Sequence, residues 1–304
     1  MLSEPELEKI EEKALYQRRI HVLGDESPIG DKIFSLLENT YKSYMMLYPL
    51  KTKKVAGFTR KQGENIQIFI NTSFNTSFQI FAGAHELYHL IDLKEKYEDG
   101  FIVCNNYDIS ENIDDKFRNL VELKANYFSA AFLLPASVIR NRFKTFNESK
   151  LYFEENMIIE IIKLQYEYEV PFKTVLKRLK ELKLVSAYGF NKLLEYNENL
   201  TDYCKMMDDT IFRRINELES PSYRKYHSLN VPKMAYDIYR NGLISFDKLE
   251  SKLSQYDKKI SDFNLQRPEI TSIDIDFSSF GTGDVVDDED WDPRPFWCKY
   301  SYKF

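Results

Sequence analysis

The residues His85-Glu86-Leu87-Tyr88-His89 have the types and spacing of hydrolytic metal chemistry. On a helix, residues four apart lie one turn apart on the same face, so the imidazoles of His85 and His89 can reach one ion. Glu86 is rotated about 100° from His85, which lets it handle a water at that ion without being a ligand. Two neutral imidazoles and a carboxylate, with a fourth position left to water, are a common catalytic zinc set. The expectation is one Zn2+ per chain, held by His85, His89 and a third ligand further along. The chain has only four histidines. The apolar stripe of the helix, Phe81, Ala84, Tyr88 and Ile91, leaves His85 and His89 off its centre, so a core-histidine reading fits poorly.

Seven downstream carboxylates compete for the third position: Glu98, Asp99, Asp108, Glu111, Asp114, Asp115 and Glu122. The first six sit in a charged, loop-like stretch. Glu122 lies instead on a nearly apolar helix, NLVELKANYFSAAFLLP, where Glu122, Asn126 and Ser129 make a polar line. A carboxylate buried there costs several kcal/mol unless it is paired or bound to metal, which selects Glu122. Asn126 reads as a support behind a ligand. Asp92, three residues after His89, reads equally as such a support or as a solvated helix-end acid. His21 and His227 read as surface or structural groups.

Several elements must position these residues. A first helix is expected over Glu4–Arg19, from the period of Leu7, Ile10, Ala14 and Leu15, and a second over Ser27–Leu47. Two strand-like runs, 53–60 and 65–72, flank KQGEN, whose Gly suits a hairpin connection. The motif helix runs over Phe78–Lys94 and the Glu122 helix over Asp114–Leu134, where Pro135 stops it. Residues 150–260 read as helical, with breaks at Glu169-Val170-Pro171, Ser220-Pro221 and Asn241-Gly242. Beyond Pro268 the pattern fails and turns acidic around Asp287-Asp288-Glu289-Asp290.

Taken together, His85-Glu86-x-x-His89 and Glu122-x-x-Ala125-Asn126-x-Phe128-x-Ala130-x-x-Leu133-Leu134-Pro135 resemble the ImmA/IrrE family of bacterial and phage metallopeptidases. The resemblance implies His85, His89 and Glu122 as zinc ligands and Glu86 as the catalytic carboxylate. Tyr88 departs from the family, which commonly has Gly there. Residues 158–186 resemble, more weakly, the helix-turn-helix-like segment that follows the catalytic part in many members. The implied fold class is α+β: a zincin-like catalytic part over 1–136 with a small sheet, a mostly helical region over 137–265, and an acidic tail over 266–304.

Composition bounds the function. With 42 Lys and Arg against 48 Asp and Glu, the net charge of −6 excludes an overall basic, nucleic-acid-coating protein. No apolar run reaches membrane-spanning length, and the acidic first residues do not read as a secretory signal. Cys104, Cys204 and Cys298 are scattered and form neither a disulfide framework nor a metal pair. The expectation is a cytoplasmic zinc endopeptidase. By the resemblance its substrate is a protein, a helix-turn-helix transcriptional repressor of mobile-element or stress regulation. The alternative is a DNA- or protein-binding regulator with a structural zinc. It rests on 158–186, where Lys173, Lys177, Lys180 and Lys183 line the face opposite the apolar stripe; that face also reads as ordinary solvated surface.

Overall fold

The computed structural model describes residues 2–96, 98–105, 120–144, 153–228 and 231–267. The acidic carboxylates Asp108, Glu111, Asp114 and Asp115, and the tail from Pro268 onward with Cys298, lie outside the described residues.

The molecule is α+β, built on a five-stranded mixed sheet. Helix α1 (Glu4–Ile20) starts at a capping box, in which Glu6 accepts from the Ser3 backbone N–H at 3.0 Å. A short α2 (Lys32–Ser35) continues into a π-helical turn, Leu36–Thr40. The strands are β1 (Tyr44–Tyr48), β2 (Val55–Gln62) and β3 (Asn65–Asn71). The long helix α3 (Thr76–Glu95) follows, then strand β4 (Gly100–Asn105) and helix α4 (Leu120–Leu133). The remaining helices are α5 (Ala136–Phe143), α6 (Phe153–Tyr168), α7 (Phe172–Glu181), α8 (Ala187–Glu195), α9 (Leu200–Met207) and α10 (Asp209–Leu218). Strand β5 (Tyr226–His227) and helices α11 (Val231–Arg240) and α12 (Phe246–Ser254) complete the order.

The sheet order is β4-β2-β3-β1-β5. Strands β2 and β3 form the expected hairpin, with Gln62 opposite Asn65 and Gly63 at φ 56° in the turn. Two expectations fail here. The helix expected over 27–47 breaks after Thr40, where Lys42 takes φ 53°, and Tyr44–Tyr48 pairs in parallel with β3. The helical spacing of that segment loses to an aromatic run that fits a pleated surface. The stretch around 100–105, read as part of a charged loop, is an edge strand antiparallel to β2. Its apolar core FIVC was masked in sequence by the acids on either side.

Helix α3 is buried on every side, from Ser77 through Leu93 with few exceptions, and not along one stripe. The sheet covers one side and α4 another, while Gly83 lets Ile33 and Phe34 of α2 come close on a third. Tyr88 fills part of the α3–α4 interface, its ring 5.5 Å from that of Phe128. The start of α3 is tied to the later helices. Thr76 donates its N–H to Ser220 O at 3.0 Å, and Asn75 Nδ2 donates to Glu219 Oε2 at 3.0 Å.

Two buried arginines secure the end of α4. Arg18 of α1 donates to Phe132 O at 2.5 Å, and Arg178 of α7 donates to Leu134 O at 3.1 Å. They satisfy carbonyls that a helix end leaves without partners. Arg178 also forms a pair with Glu11 at 2.6 Å. Core side chains from Ile10 to Leu218 form one continuous cluster that runs across residue 136, while Ala235, Leu249 and Leu253 of α11 and α12 form a separate small one.

Candidate metal centre

The fold brings His85, His89 and Glu122 together. His85 Nε2 lies 3.0 Å from His89 Nε2 and 2.9 Å from Glu122 Oε2, and His89 Nε2 lies 3.4 Å from Glu122 Oε1. Helix periodicity aligns the two imidazoles on α3, and α4 crosses at the point that faces Glu122 toward them. Four tetrahedral donors around zinc at ~2.0–2.1 Å stand about 3.3 Å apart, so the observed spacing suits an ion. Two imidazole nitrogens facing each other beside a carboxylate need a positive charge among them, proton or cation. Burial opposes ionisation of Glu122, yet its hydrogen bonds with His85 and His89 and their charges hold its pKa down to about 2. Burial likewise works against a charged His89, and the Glu122 hydrogen bond with the charges of Glu86 and Glu122 outweighs it, so its pKa rises.

Asn126 stands one helical turn beyond Glu122. Its Oδ1 is 3.0 Å from His85 Nδ1. An Nδ1–H donated to that oxygen leaves Nε2 bare toward the cluster, which is the tautomer a metal ligand needs. Ser129, the third member of the polar line, turns away and donates to Ala125 O at 2.7 Å. Asp92 pairs with Lys96 at 2.8 Å, toward the end of α3, and reaches His89 only through its charge.

Glu86 is fully buried beside the ligand cluster. Thr59 Oγ1 on β2 donates to its Oε2 at 2.7 Å. Gly57, two residues earlier on the same strand face, makes room for the carboxylate: a Cβ there would stand 2.7 Å from Glu86 Oε1. Burial raises the Glu86 pKa, outweighing the charges of His89 and His85 and hydrogen bonds from Cys104 and Thr59. Cys104 on β4 is also fully buried, and its sulfur joins the donor atoms of His85, His89 and Glu122 within 4.8 Å of one another. Sequence reasoning found neither Thr59 nor Gly57 nor the place of Cys104. The alternation of β2 puts residues 57 and 59 on one face, but only strand pairing shows which face meets Glu86.

Of the lysines opposite the apolar stripe, Lys180 and Lys183 are exposed and Lys173 and Lys177 half-buried. Helix α7 is buried along Phe172, Val175, Leu176, Arg178 and Leu179. Lys180 stacks over the Phe190 ring at 4.7 Å, and Lys183 pairs with Glu4 at 2.5 Å.

Residues 43–180 match the family model of the IrrE N-terminal-like domain, Peptidase_M78. The match supports an ImmA/IrrE assignment for this segment. The M78 domain has a zincin-like fold and runs from just before β1 into α7, so it contains Gly57, Thr59, His85, Glu86, His89, Cys104, Glu122 and Asn126. Its family is one of metallopeptidases, and the buried His85, His89, Cys104 and Glu122 are a group that can hold a metal. Among solved structures, a Mycobacterium tuberculosis transcriptional regulator is similar at 17% identity and a TM-score of 0.37. That similarity covers 57% of this chain and 46% of the regulator, less than half its length. No curated protein matches the chain. Among the described residues, no helix is long and apolar enough to cross a membrane.

Proposed function

We propose that this chain is a zinc-dependent endopeptidase, with His85, His89 and Glu122 as ligands and Glu86 as general base. The observation that carries the reading is the convergence of three donor atoms within 3.4 Å beside a buried fourth side chain, Glu86, that Thr59 holds by one oxygen. Zinc bound there would polarise the scissile carbonyl and acidify the attacking water.

The protein's own groups do the rest. Glu86 takes the proton from the attacking water and returns it to the leaving amine. Its raised pKa suits both halves of that cycle, because a base that ionises nearer neutrality is also a competent acid. Thr59 keeps the carboxylate from rotating, and Asn126 keeps the His85 ring in register. Burial of the cluster excludes bulk water and strengthens each of these interactions.

The substrate is a cytoplasmic protein, by the family resemblance a helix-turn-helix repressor whose cleavage releases transcription. The regulator reading through 158–186 is not favoured, since a purely structural zinc has no need of the buried carboxylate of Glu86 beside it. The test is zinc content and cleavage together, using a panel of purified helix-turn-helix repressors. About one zinc per chain, weakened in His89→Ala and Glu122→Ala, and cleavage lost in zinc-retaining Glu86→Gln, are expected. Cleavage by Glu86→Gln at the wild-type rate would sink the mechanism, and zinc without cleavage of any repressor, in the wild type and in Cys104→Ala alike, would sink the substrate class.

A further inference from the structure

A peptidase centre of two histidines, a glutamate ligand and a general base has no use for a thiol, yet Cys104 is built into this one. Its side chain is fully buried, against the carboxylate that handles the water. Its position is set by regular strand pairing: Cys104 is the β4 partner of Gly57, in register with the Phe58–Val103 and Thr59–Ile102 pairs, so it shares the sheet face on which Gly57 meets Glu86.

The distances permit ligation. With zinc–sulfur near 2.3 Å and zinc–nitrogen near 2.0–2.1 Å, tetrahedral sulfur and nitrogen donors stand about 3.5 Å apart. The sulfur of Cys104 already lies within 4.8 Å of each of the other three donor atoms, so a movement of roughly 1 Å, shared between the sulfur and the facing side chains, completes the set. A thiolate is also a stronger ligand than water for this borderline-soft ion.

We propose that Cys104 is the fourth ligand of the resting protein, closing the site that His85, His89 and Glu122 leave open. The proposal rests on the metal site argued above and adds a regulation to it. On ligation the S–H bond of Cys104 breaks, the sulfur keeps the electron pair it gives to the ion, and the proton leaves to solvent. The thiolate then holds the position that an attacking water needs, so one event closes the site. Release reverses it: the sulfur takes the proton back and the fourth position opens to water and substrate. The resting protein is therefore a latent peptidase, with the closed four-coordinate shell of a structural zinc site.

X-ray absorption at the zinc edge tests this on the full-length protein loaded with zinc alone. The expected shell is one sulfur near 2.3 Å with nitrogen and oxygen at ~2.0–2.1 Å. In Cys104→Ala the sulfur is lost while about one zinc per chain remains, and in Cys204→Ala and Cys298→Ala the sulfur is kept. Cobalt substitution gives a second reading, a sulfur-to-metal charge-transfer band present in the wild type and absent in Cys104→Ala. A shell of nitrogen and oxygen only in the wild type overturns the proposal and leaves the three-ligand site standing. A folded wild type that binds no zinc overturns the metal site itself, and the proposal with it. If Cys104→Ala does not fold, the wild-type shell decides alone.

Discussion

Replacing Gly57 by alanine tests whether Glu86 is held by close packing against β2. A Cβ at this position would stand 2.7 Å from Glu86 Oε1 and 2.8 Å from Phe69 O, where ordinary contact begins at 3.4 Å. The carboxylate oxygen must therefore retreat by roughly 0.7 Å, and the β3 carbonyl by roughly 0.6 Å, or β2 must move outward. Overpacking of this kind costs typically ~1–3 kcal/mol. Equilibrium urea unfolding of the apo protein should show a loss in that range. The three nearest atoms belong to Glu86 and Phe69 and not to a proposed ligand, so zinc stoichiometry should hold. A general base displaced toward 1 Å should lower turnover about 10²-fold. Adding Glu86→Ala removes one of the two collisions, so Gly57→Ala should cost less in that background, a coupling a double-mutant cycle reads. A Gly57→Ala protein with wild-type stability and turnover would refute the close-approach argument.

Asn126→Leu removes the acceptor for His85 Nδ1–H and should weaken zinc binding about 10–100-fold, read by competition with a chromophoric chelator; Asn126→Asp, which keeps an acceptor, should lose less. Arg178→Met strips Glu11 of its buried partner and Leu134 O of a donor, and should cost about 3 kcal/mol in denaturant unfolding. Pairing it with Glu11→Met should recover part of the loss, because the Glu11 carboxylate is then no longer left without its partner. Glu219, buried among Asn75, Ser77 and Gln165, has its pKa raised by burial above the ordinary 4.5, more than those hydrogen bonds lower it. The native state thus binds this proton more tightly than the unfolded chain, so its contribution is present at pH below 4.5 and is lost as pH rises through the folded-state pKa. The stability of wild type relative to Glu219→Gln should fall across that window, and a difference constant with pH would contradict the burial argument.

The metal-binding motif was legible because its geometry is local. Four residues on a helix fix which side chains share a face, and His85 and His89 need no tertiary information to be paired. Glu122 and Asn126 were legible for a different reason: on a helix that is otherwise apolar, a carboxylate without a task is too costly to keep. The helices of the second half followed from their apolar periods, and Gly63, Pro135 and Gly242 marked real breaks. Strands β1 and β4 escaped because strand identity is settled by a partner far along the chain. Tyr44–Tyr48 takes its extended form from β3, and Gly100–Asn105 from β2. The same non-local pairing decided the other half of the centre. The chain's order alone places Gly57, Thr59 and Cys104 well apart from Glu86, with no period that joins them. Sheet register puts Gly57 and Thr59 against one carboxylate, and pairing Cys104 with Gly57 brings a cysteine to the donor cluster. Sequence thus determined the two histidines, the glutamates and the helices that carry them. What surrounds Glu86, and whether a sulfur shares its site, was decided only when the strands paired.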